Sequence, residues 1–465
     1  MSAKSPEWKK TGEPARPQQI RSPDAAGKQL SLLALLSIGL GGAIGPGIFV
    51  AIGTSIRLAG PAVLALLLVG GLVTVFVTMM LVEMTVIQSA EGSWSVWADR
   101  YLGRWAGFLA GWLYWTAGVL IMTTEVVAAS LLTMWWLAQS PLWLFSLIFT
   151  LLVTGLNFLD VRTLGGIEVW FAFFKVGILV FFIFLGVMFI AGNHPGILPF
   201  WSGRDATGFF PGGWQGTLAA LILVMYAYAG IQTIGPSMGD LKDAPTDAPR
   251  VVPLLNGPLL ILYLAAIAVL INMVRWSNVS VSGSPFVAAF ASLHQPVIGG
   301  VLNAAILIAV FSALNSIMYG VSRMLTSLAG RGDAPRFLAR INRQGVPVPA
   351  VAASAACLLL AVVMSYLFPR DIFIYAASAG GVTSMLGWLI LGITHLAFRR
   401  QEKERLKLRY PGFPFTTWAT MIIILAALAG TFLTPRQTVG MFVSLLLLWL
   451  YLGIYYAFRH GRSKT

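Results

Sequence analysis

Two glycine-rich stretches carry the clearest chemical potential in this sequence, because each interrupts an apolar run. The first is GLGGAIGPGIF, from Gly39 to Phe49, and the second is YAYAGIQTIGPSMGD, from Tyr226 to Asp240. Glycine weakens a helix and proline removes a backbone donor, so both stretches favour an interrupted helix. Backbone groups freed in this way cannot stay unpaired in hydrocarbon, but a ligand in a polar cavity can satisfy them. An interrupted helix offers donors at one end and acceptors at the other, which suits a zwitterion.

Two other interpretations of the first stretch compete with an interrupted helix. A dinucleotide-binding loop requires a third glycine where this chain has Ile44, and an acidic residue roughly 20 positions further on, which is absent. Gly41 and Gly45 form a small-xxx-small pair that lets helices approach closely, but packing alone leaves Pro46 unexplained. The second stretch supplies a counterpart in the sixth apolar run. Paired interruptions of this kind are typical of transporters with inverted repeats, here spans one to five against six to ten.

Two ionisable side chains inside apolar runs are further candidates, because charges within a membrane are costly and usually functional. Lys175 lies in FAFFKVGIL, about 12 Å along its helix, and desolvation would let it exchange a proton near neutral pH. The alternatives are a lysine that reaches the interface, or a structural ion pair with Glu125. Glu125, in IMTTEVVAAS, is either part of a proton relay or a structural partner. Glu83 and Glu168, near inner span ends, are expected to anchor loops.

The elements that must position these residues follow from composition. Of 465 residues, 57% are hydrophobic and only 10% are charged, whereas soluble domains carry about 25% charged residues. Apolar stretches of about 20 residues, the length that crosses a bilayer, recur from Leu30 to Phe458. Twelve can be delimited. The sequence therefore predicts an all-α integral membrane protein with twelve transmembrane helices.

The net charge of +14 reflects topology rather than a nucleic-acid partner. Twelve spans with a cytoplasmic N-terminus put almost every Lys and Arg on the inner side, as the positive-inside rule requires. Lys175 lies in a span, and the outer side holds only Arg57, Arg204, Arg275, Arg370 and Arg436. Both termini are thus predicted to be cytoplasmic. Residues 1–29 are expected to form a disordered basic tail and residues 461–465 a second short tail.

Other function classes find little support in the sequence. The four histidines, His194, His294, His395 and His460, are scattered without metal-ligand spacing, and no nucleophile elbow occurs. No phosphate-binding loop of an ATP-driven pump is present, and no repeated pore loops indicate a channel. The sequence therefore predicts neither a catalytic residue nor a metal or cofactor. A membrane enzyme or a sensor is disfavoured against a transporter.

Three segments resemble bacterial amino acid permeases of the amino acid–polyamine–organocation superfamily. GGAIGPGIF is similar to the first-span pattern of that family, and YAGIQTIGPSMGDLKDAP to its sixth-span pattern. The most specific match is SALNSIMYGVSRMLTSLAGRGDAPRFLARINRQGVPVPA, from Ser312 to Ala350. The resemblance implies a LeuT-like fold with a 5+5 inverted repeat plus two extra helices, and with helices 1 and 6 discontinuous. Residues 30–400 would form the transport core and residues 401–460 the last two spans.

The resemblance also implies where substrate binds. Backbone around Ala43, Ile44, Gly45 and Gly47 would hold a carboxylate. Carbonyls near Gly42, Ala43, Tyr226 and Ala229 would hold an amino group, and Gly230 and Gln232 belong to the same sixth-span region. A fifth-span lysine such as Lys175 would replace the sodium ion of sodium-coupled relatives, with Glu125 as a second proton-coupling candidate.

Two positions depart from the family pattern. Pro46 stands where Ser or Thr is usual, and Gln232 stands where Glu is usual. The missing negative charge at Gln232 points to a substrate with a neutral side chain. Pro46 lacks a backbone N–H donor for a carboxylate, so a decarboxylated amine is the alternative substrate. The expected function is import of a neutral amino acid together with a proton across the inner membrane of a bacterium. The alternative is an exchanger of amino acids or amines.

Overall fold

The computed structural model describes residues 30–87, 93–158, 161–192, 208–238, 241–404, 406 and 408–462. The predicted disordered tail at residues 1–29 lies outside the described residues, as do His194, Arg204, Asp240 and residues 463–465. Within the described residues the chain is all-helical, as predicted. The sole β pairing found there is an isolated bridge between Leu30 and Leu241.

Seventeen α-helices, of very different lengths, make up the described chain. In order they are α1 (Leu32–Ala43), α2 (Ile52–Ala59), α3 (Val63–Ile87), α4 (Ser93–Leu102), α5 (Arg104–Thr133), α6 (Leu142–Asn157), α7 (Val161–Ala191), α8 (Gly213–Ala229), α9 (Ile234–Ser237), α10 (Ala244–Val251), α11 (Gly257–Met273), α12 (Pro285–Ser292), α13 (Pro296–Gly330), α14 (Val348–Leu367), α15 (Ile372–Gln401), α16 (Phe415–Gly430) and α17 (Pro435–Arg462). The last helix thus continues two residues into the segment predicted as a C-terminal tail.

Ten of the described helical stretches are long and apolar enough to cross a membrane. The first of them, Leu32–Ile87, has 56 residues. At about 1.5 Å per residue a straight helix of that length would greatly exceed a ~30 Å hydrocarbon core. The α-helix is interrupted within it by a 3₁₀ turn at Gly60–Ala62, where Gly60 has a φ of 61° that favours glycine. The apolar helix α6 is shorter, with 16 residues.

The long helix α5 lies at the centre of the helical bundle and packs against α13 and α15. Small residues allow this close packing. A Cβ atom on Gly111 would lie 2.6 Å from a methyl carbon of Leu328 on α13. Polar side chains in the interior pair across helices, as between Asn157 of α6 and Asn315 of α13, whose side chains are 2.8 Å apart. The interior therefore holds α5 in a fixed position, and with it the one acidic side chain at its centre, Glu125.

Candidate functional site

The first apolar stretch loses its regular helix within the predicted site. The helix α1 ends at Ala43, and Ile44 has extended backbone angles, φ −84° and ψ 93°. Helical backbone resumes after Pro46 as a wide turn, Gly47–Ala51, which leads directly into α2. The last carbonyls of one helix and the first N–H groups of the next lack partners within their own helices. Within this interruption the Ile44 N–H still donates to the Leu40 carbonyl at 3.0 Å, and the Gly45 carbonyl accepts from the Phe49 N–H at 3.2 Å.

The sixth apolar stretch changes helix type at the corresponding place. The helix α8 ends at Ala229, a turn of 3₁₀-helix covers Gly230–Thr233, and α9 follows. Tyr226 lies in the last turn of α8, and Gln232 lies in the 3₁₀ turn. Both side chains are buried, with 3% and 4% of their surface exposed.

The two stretches cross in direct backbone contact. A Cβ atom added to Gly42 would lie 2.8 Å from the carbonyl oxygen of Gly230, and one added to Gly230 would lie 2.9 Å from the Cα atom of Ala43. Only glycine permits this approach, because any larger residue would push the backbones apart. A Cβ atom on Gly47 would similarly meet the Cα atom of Ala227. The structure therefore brings Gly42, Ala43, Gly47 and Gly230 together.

The carboxyl group of Glu125 lies beside the first-stretch interruption. One of its oxygens would be 2.7 Å from a Cβ atom placed on Gly45. The other is buried and has no hydrogen-bond partner among the described residues. Next to it on α5, the Thr124 hydroxyl donates to the Ile121 carbonyl at 2.6 Å, so the hydrogen bond between Thr124 and Tyr226 is donated by Tyr226. Glu125 and Tyr226 thus lie at one site, contributed by α5 and α8.

Lys175 is the second charge at this site. Its side chain is fully buried on α7, and its ammonium nitrogen donates to the carbonyl oxygen of Gly41 at 2.5 Å. It therefore does not reach a membrane interface, which was one alternative from the sequence. Lys175 also interacts electrostatically with Glu125. A buried ammonium and a buried carboxyl group therefore lie on either side of the end of α1.

Tyr263 of α11 is a site residue that the sequence did not indicate. Its hydroxyl donates to the carbonyl oxygens of Ala43 and Ala227, at 2.8 Å and 3.3 Å, and so joins the ends of α1 and α8. The ring is fully buried and lies against the ring of Tyr228, with centroids 5.1 Å apart. A lone tyrosine in the apolar run LLILYLAA looks like a packing residue. The available signal was that a buried tyrosine hydroxyl requires a partner.

Aromatic rings pack beside the wide turn Gly47–Ala51. Phe286, on the short helix α12, packs against Phe49 and Phe182, with ring centroids 5.8 Å and 4.6 Å away. All three rings are buried. The Lys242 backbone N–H donates to the Leu30 carbonyl at 3.1 Å and ties the chain after α9 to the start of α1.

A second buried group of charges lies near the C-terminal end of α3. Glu83 accepts hydrogen bonds from the Arg399 guanidinium, from the His395 ring at 2.9 Å and from the Tyr410 backbone N–H at 2.6 Å. Together these residues enclose a cavity of only about 10 Å³, so direct contacts hold them. The expected anchoring role of Glu83 matches this geometry. The sequence did not indicate that His395 pairs with Glu83, and the side chain of Glu168 lies outside the described residues.

The described residues give no support for a metal centre. Among the described residues no group of three or more His, Cys, Asp or Glu side chains is placed to hold a metal ion.

Known proteins similar to this chain are transporters. A family model described as amino acid permease matches residues 34–464. The γ-aminobutyric acid permease of Bacillus subtilis is 33% identical over 87% of this chain and 87% of its own. The aromatic amino acid transport protein AroP of Shigella flexneri is 30% identical over 92% of this chain and 94% of its own.

A solved structure shows the same overall fold. The manganese transporter of Eremococcus coleocola superposes with a TM-score of 0.60 over 94% of this chain and 95% of its own, at 12% identity. At that identity the likeness concerns the fold alone. It agrees with the arrangement of apolar helices described above.

Proposed function

The chain belongs to the amino acid permease family, and on that premise we propose that it imports an amino acid with an uncharged side chain together with a proton. Transport proceeds by alternating access, in which the site opens to one side of the membrane at a time. The substrate, a proton and the lipid bilayer are the partners. The bacterial inner membrane is the proposed location, with both termini in the cytoplasm.

The architecture in this proposal has twelve spans. The stretch Leu32–Ile87 counts as two spans because it has 56 residues and its α-helix is interrupted at Gly60, and the short helix α6 counts as one. Spans one to ten form the 5+5 inverted repeat, with spans one and six discontinuous, and α16 and α17 are the two extra helices. The extended backbone at Ile44 and the 3₁₀ turn at Gly230–Thr233 support the two interruptions.

The substrate lies where the two interrupted spans cross. N–H groups around Gly45 and Gly47 hold its carboxylate, because the start of a helix favours an anion. Carbonyls at the end of α1, at Gly42 and Ala43, hold its ammonium. The sixth span completes the site with Tyr226, Ala229, Gly230 and Gln232, and the side chain of Ile44 is part of the same wall.

The substrate is neutral overall in this proposal. Gln232 is buried and uncharged, so the sixth span supplies no counter-ion for a cationic side chain. The similar proteins are named for γ-aminobutyric acid and for aromatic amino acids, whose molecules are zwitterions without a further charge. Lysine or arginine that displaced substrate better than neutral amino acids would contradict this choice.

The observation that carries proton coupling is the position of Lys175. A fully buried ammonium that touches the Gly41 carbonyl links its charge state to the end of α1. Loss of its proton in a desolvated site would release α1 from that charge-assisted bond. Glu125, whose carboxyl group lies beside Gly45, is the second proton-coupling group.

The test is uptake into liposomes that contain the purified protein. Wild-type protein should accumulate a labelled neutral amino acid under an inward proton gradient, and the accumulation should collapse when the gradient is dissipated. Lys175→Ala should lose gradient-driven accumulation but still exchange amino acids in preloaded vesicles. Lys242→Ala, which alters a lysine in the loop after α9, should keep both activities.

Two results would overturn parts of the proposal. Gradient-driven accumulation by Lys175→Ala would remove this lysine from coupling. Uptake by wild-type protein only into preloaded vesicles would make the protein an exchanger of amino acids or amines, the second candidate function.

A further inference from the structure

Tyr263 donates one hydrogen bond to two backbone carbonyls that belong to different spans. Ala43 is the last residue of α1, so its carbonyl has no acceptor role within that helix. Ala227 lies in the last turn of α8. The Tyr263 hydroxyl oxygen is 2.8 Å from the Ala43 carbonyl oxygen and 3.3 Å from the Ala227 carbonyl oxygen. Ala43 precedes Tyr263 by 220 positions in the sequence, and Ala227 precedes it by 36. Tyr263 is therefore a direct polar link between the two spans at their crossing, in addition to the Thr233 hydroxyl, which lies 3.4 Å from the Ile38 carbonyl oxygen of α1.

The Ala43 carbonyl is also one of those proposed to receive the ammonium group of the substrate. An ammonium carries three donors and makes charge-assisted hydrogen bonds, which are stronger than those of a neutral hydroxyl. A bound substrate can therefore replace the tyrosine at this carbonyl. Without substrate and without the tyrosine hydroxyl, the buried Ala43 carbonyl would have no hydrogen-bond donor. An unpaired buried acceptor of this kind costs considerable free energy.

We propose that the Tyr263 hydroxyl takes the place of the substrate ammonium at the Ala43 carbonyl, and joins it to the Ala227 carbonyl, whenever the carrier closes without substrate. Tyr263 is thus a positioning residue for the return of the unloaded carrier. Net import requires this return of the unloaded carrier. Exchange of one substrate molecule for another does not, because the carrier then returns with substrate bound. This inference rests on the proposed substrate site.

The neighbouring Tyr228 provides a matched control. It is equally buried, lies in α8, and packs its ring against that of Tyr263. Its hydroxyl, however, donates to the Leu67 carbonyl of α3 at 3.1 Å and does not join the two interrupted spans. Removal of either hydroxyl deletes one buried hydrogen bond, but only Tyr263→Phe affects the crossing.

The experiment compares net uptake into empty vesicles with exchange in preloaded vesicles. Tyr263→Phe should slow net uptake about tenfold relative to exchange, which corresponds to ~1.4 kcal/mol and lies within the penalty for a buried carbonyl without a donor. Substrate should bind the solubilised variant at least as tightly as it binds wild-type protein, because no hydroxyl has to be displaced. Tyr228→Phe should keep the wild-type ratio of net uptake to exchange.

The inference fails if Tyr263→Phe lowers net uptake and exchange equally, if it weakens substrate binding, or if Tyr228→Phe changes the ratio to the same extent. If Tyr263→Phe does not fold, 4-fluorophenylalanine at position 263 fills the volume of the hydroxyl without donating, and the same ratio is measured. A wild-type protein that moves no amino acid in either assay refutes the proposed function and this inference with it. Wild-type transport with an unchanged ratio in the variant refutes the inference alone.

Discussion

The crossing of the two interrupted spans is tested most directly by Gly42→Ala. The new Cβ atom would lie 2.7 Å from the Thr233 hydroxyl oxygen and 2.8 Å from the Gly230 carbonyl oxygen. Ordinary contact begins at 3.4 Å, so the Gly230 backbone must retreat by 3.4 − 2.8 = 0.6 Å. Backbone shifts forced by one added carbon in a packed interior typically cost about 1–3 kcal/mol. If that strain falls on the closed arrangement, transport slows roughly tenfold to a hundredfold, since each ~1.4 kcal/mol is a factor of ten.

The assay measures initial uptake rates in liposomes and thermal denaturation of the solubilised protein. Gly177→Ala is the control, because a Cβ atom on this glycine of α7 would have nothing within 4 Å. That variant should transport normally and be at least as stable as wild-type protein. Adding Thr233→Ala to Gly42→Ala removes the side-chain contact but leaves the Gly230 carbonyl in place, so transport should recover only in part. Normal uptake and unchanged stability in Gly42→Ala would show that the spans do not meet at Gly42 and Gly230.

Two further predictions concern the charges around Glu83. Glu83→Gln leaves Arg399 buried without its counter-ion and should lower the free energy of unfolding by about 3–5 kcal/mol. Asp247→Asn, whose partner Arg250 is largely exposed, should change it by less than about 1 kcal/mol, and equal effects would contradict the assignment. Burial and the charge of Glu83 raise the pKa of Tyr410 to about 12. The folded chain then keeps this proton from about pH 10 to 12, where the unfolded chain has lost it. Stability should therefore fall as pH rises through that range, and an equally steep fall in Tyr410→Phe would refute this origin.

The helical fold and the interruption of the first apolar stretch follow from local features of the sequence. Apolar stretches of membrane-spanning length predict helices, since every backbone group must be paired within its own segment in lipid. Glycines with Pro46 mark the place where α1 ends, because both residues weaken a helix locally. The sequence left open whether Lys175 is buried or reaches the interface, and the structure shows the side chain fully buried.

The partners of these residues could not be predicted, because they depend on contacts between distant segments. Lys175 meets Gly41 across 134 residues, and Glu83 meets Arg399 across 316. Nothing local distinguishes Tyr263 from other tyrosines that pack in apolar helices. The sequence did not link His395 to Glu83 for the same reason, because Glu83 lies on a helix far away in the chain.

The bond between Tyr263 and Ala43 also has a consequence for synthesis of the protein. The two residues are separated by 220 positions. At a translation rate of about 5–20 residues per second, Ala43 waits roughly ten to forty seconds before Tyr263 leaves the ribosome. The Lys175 contact with Gly41 spans fewer residues and becomes available earlier. The first half of the nascent chain can therefore set its buried lysine in place, but it must await the second half before the end of α1 receives its tyrosine donor.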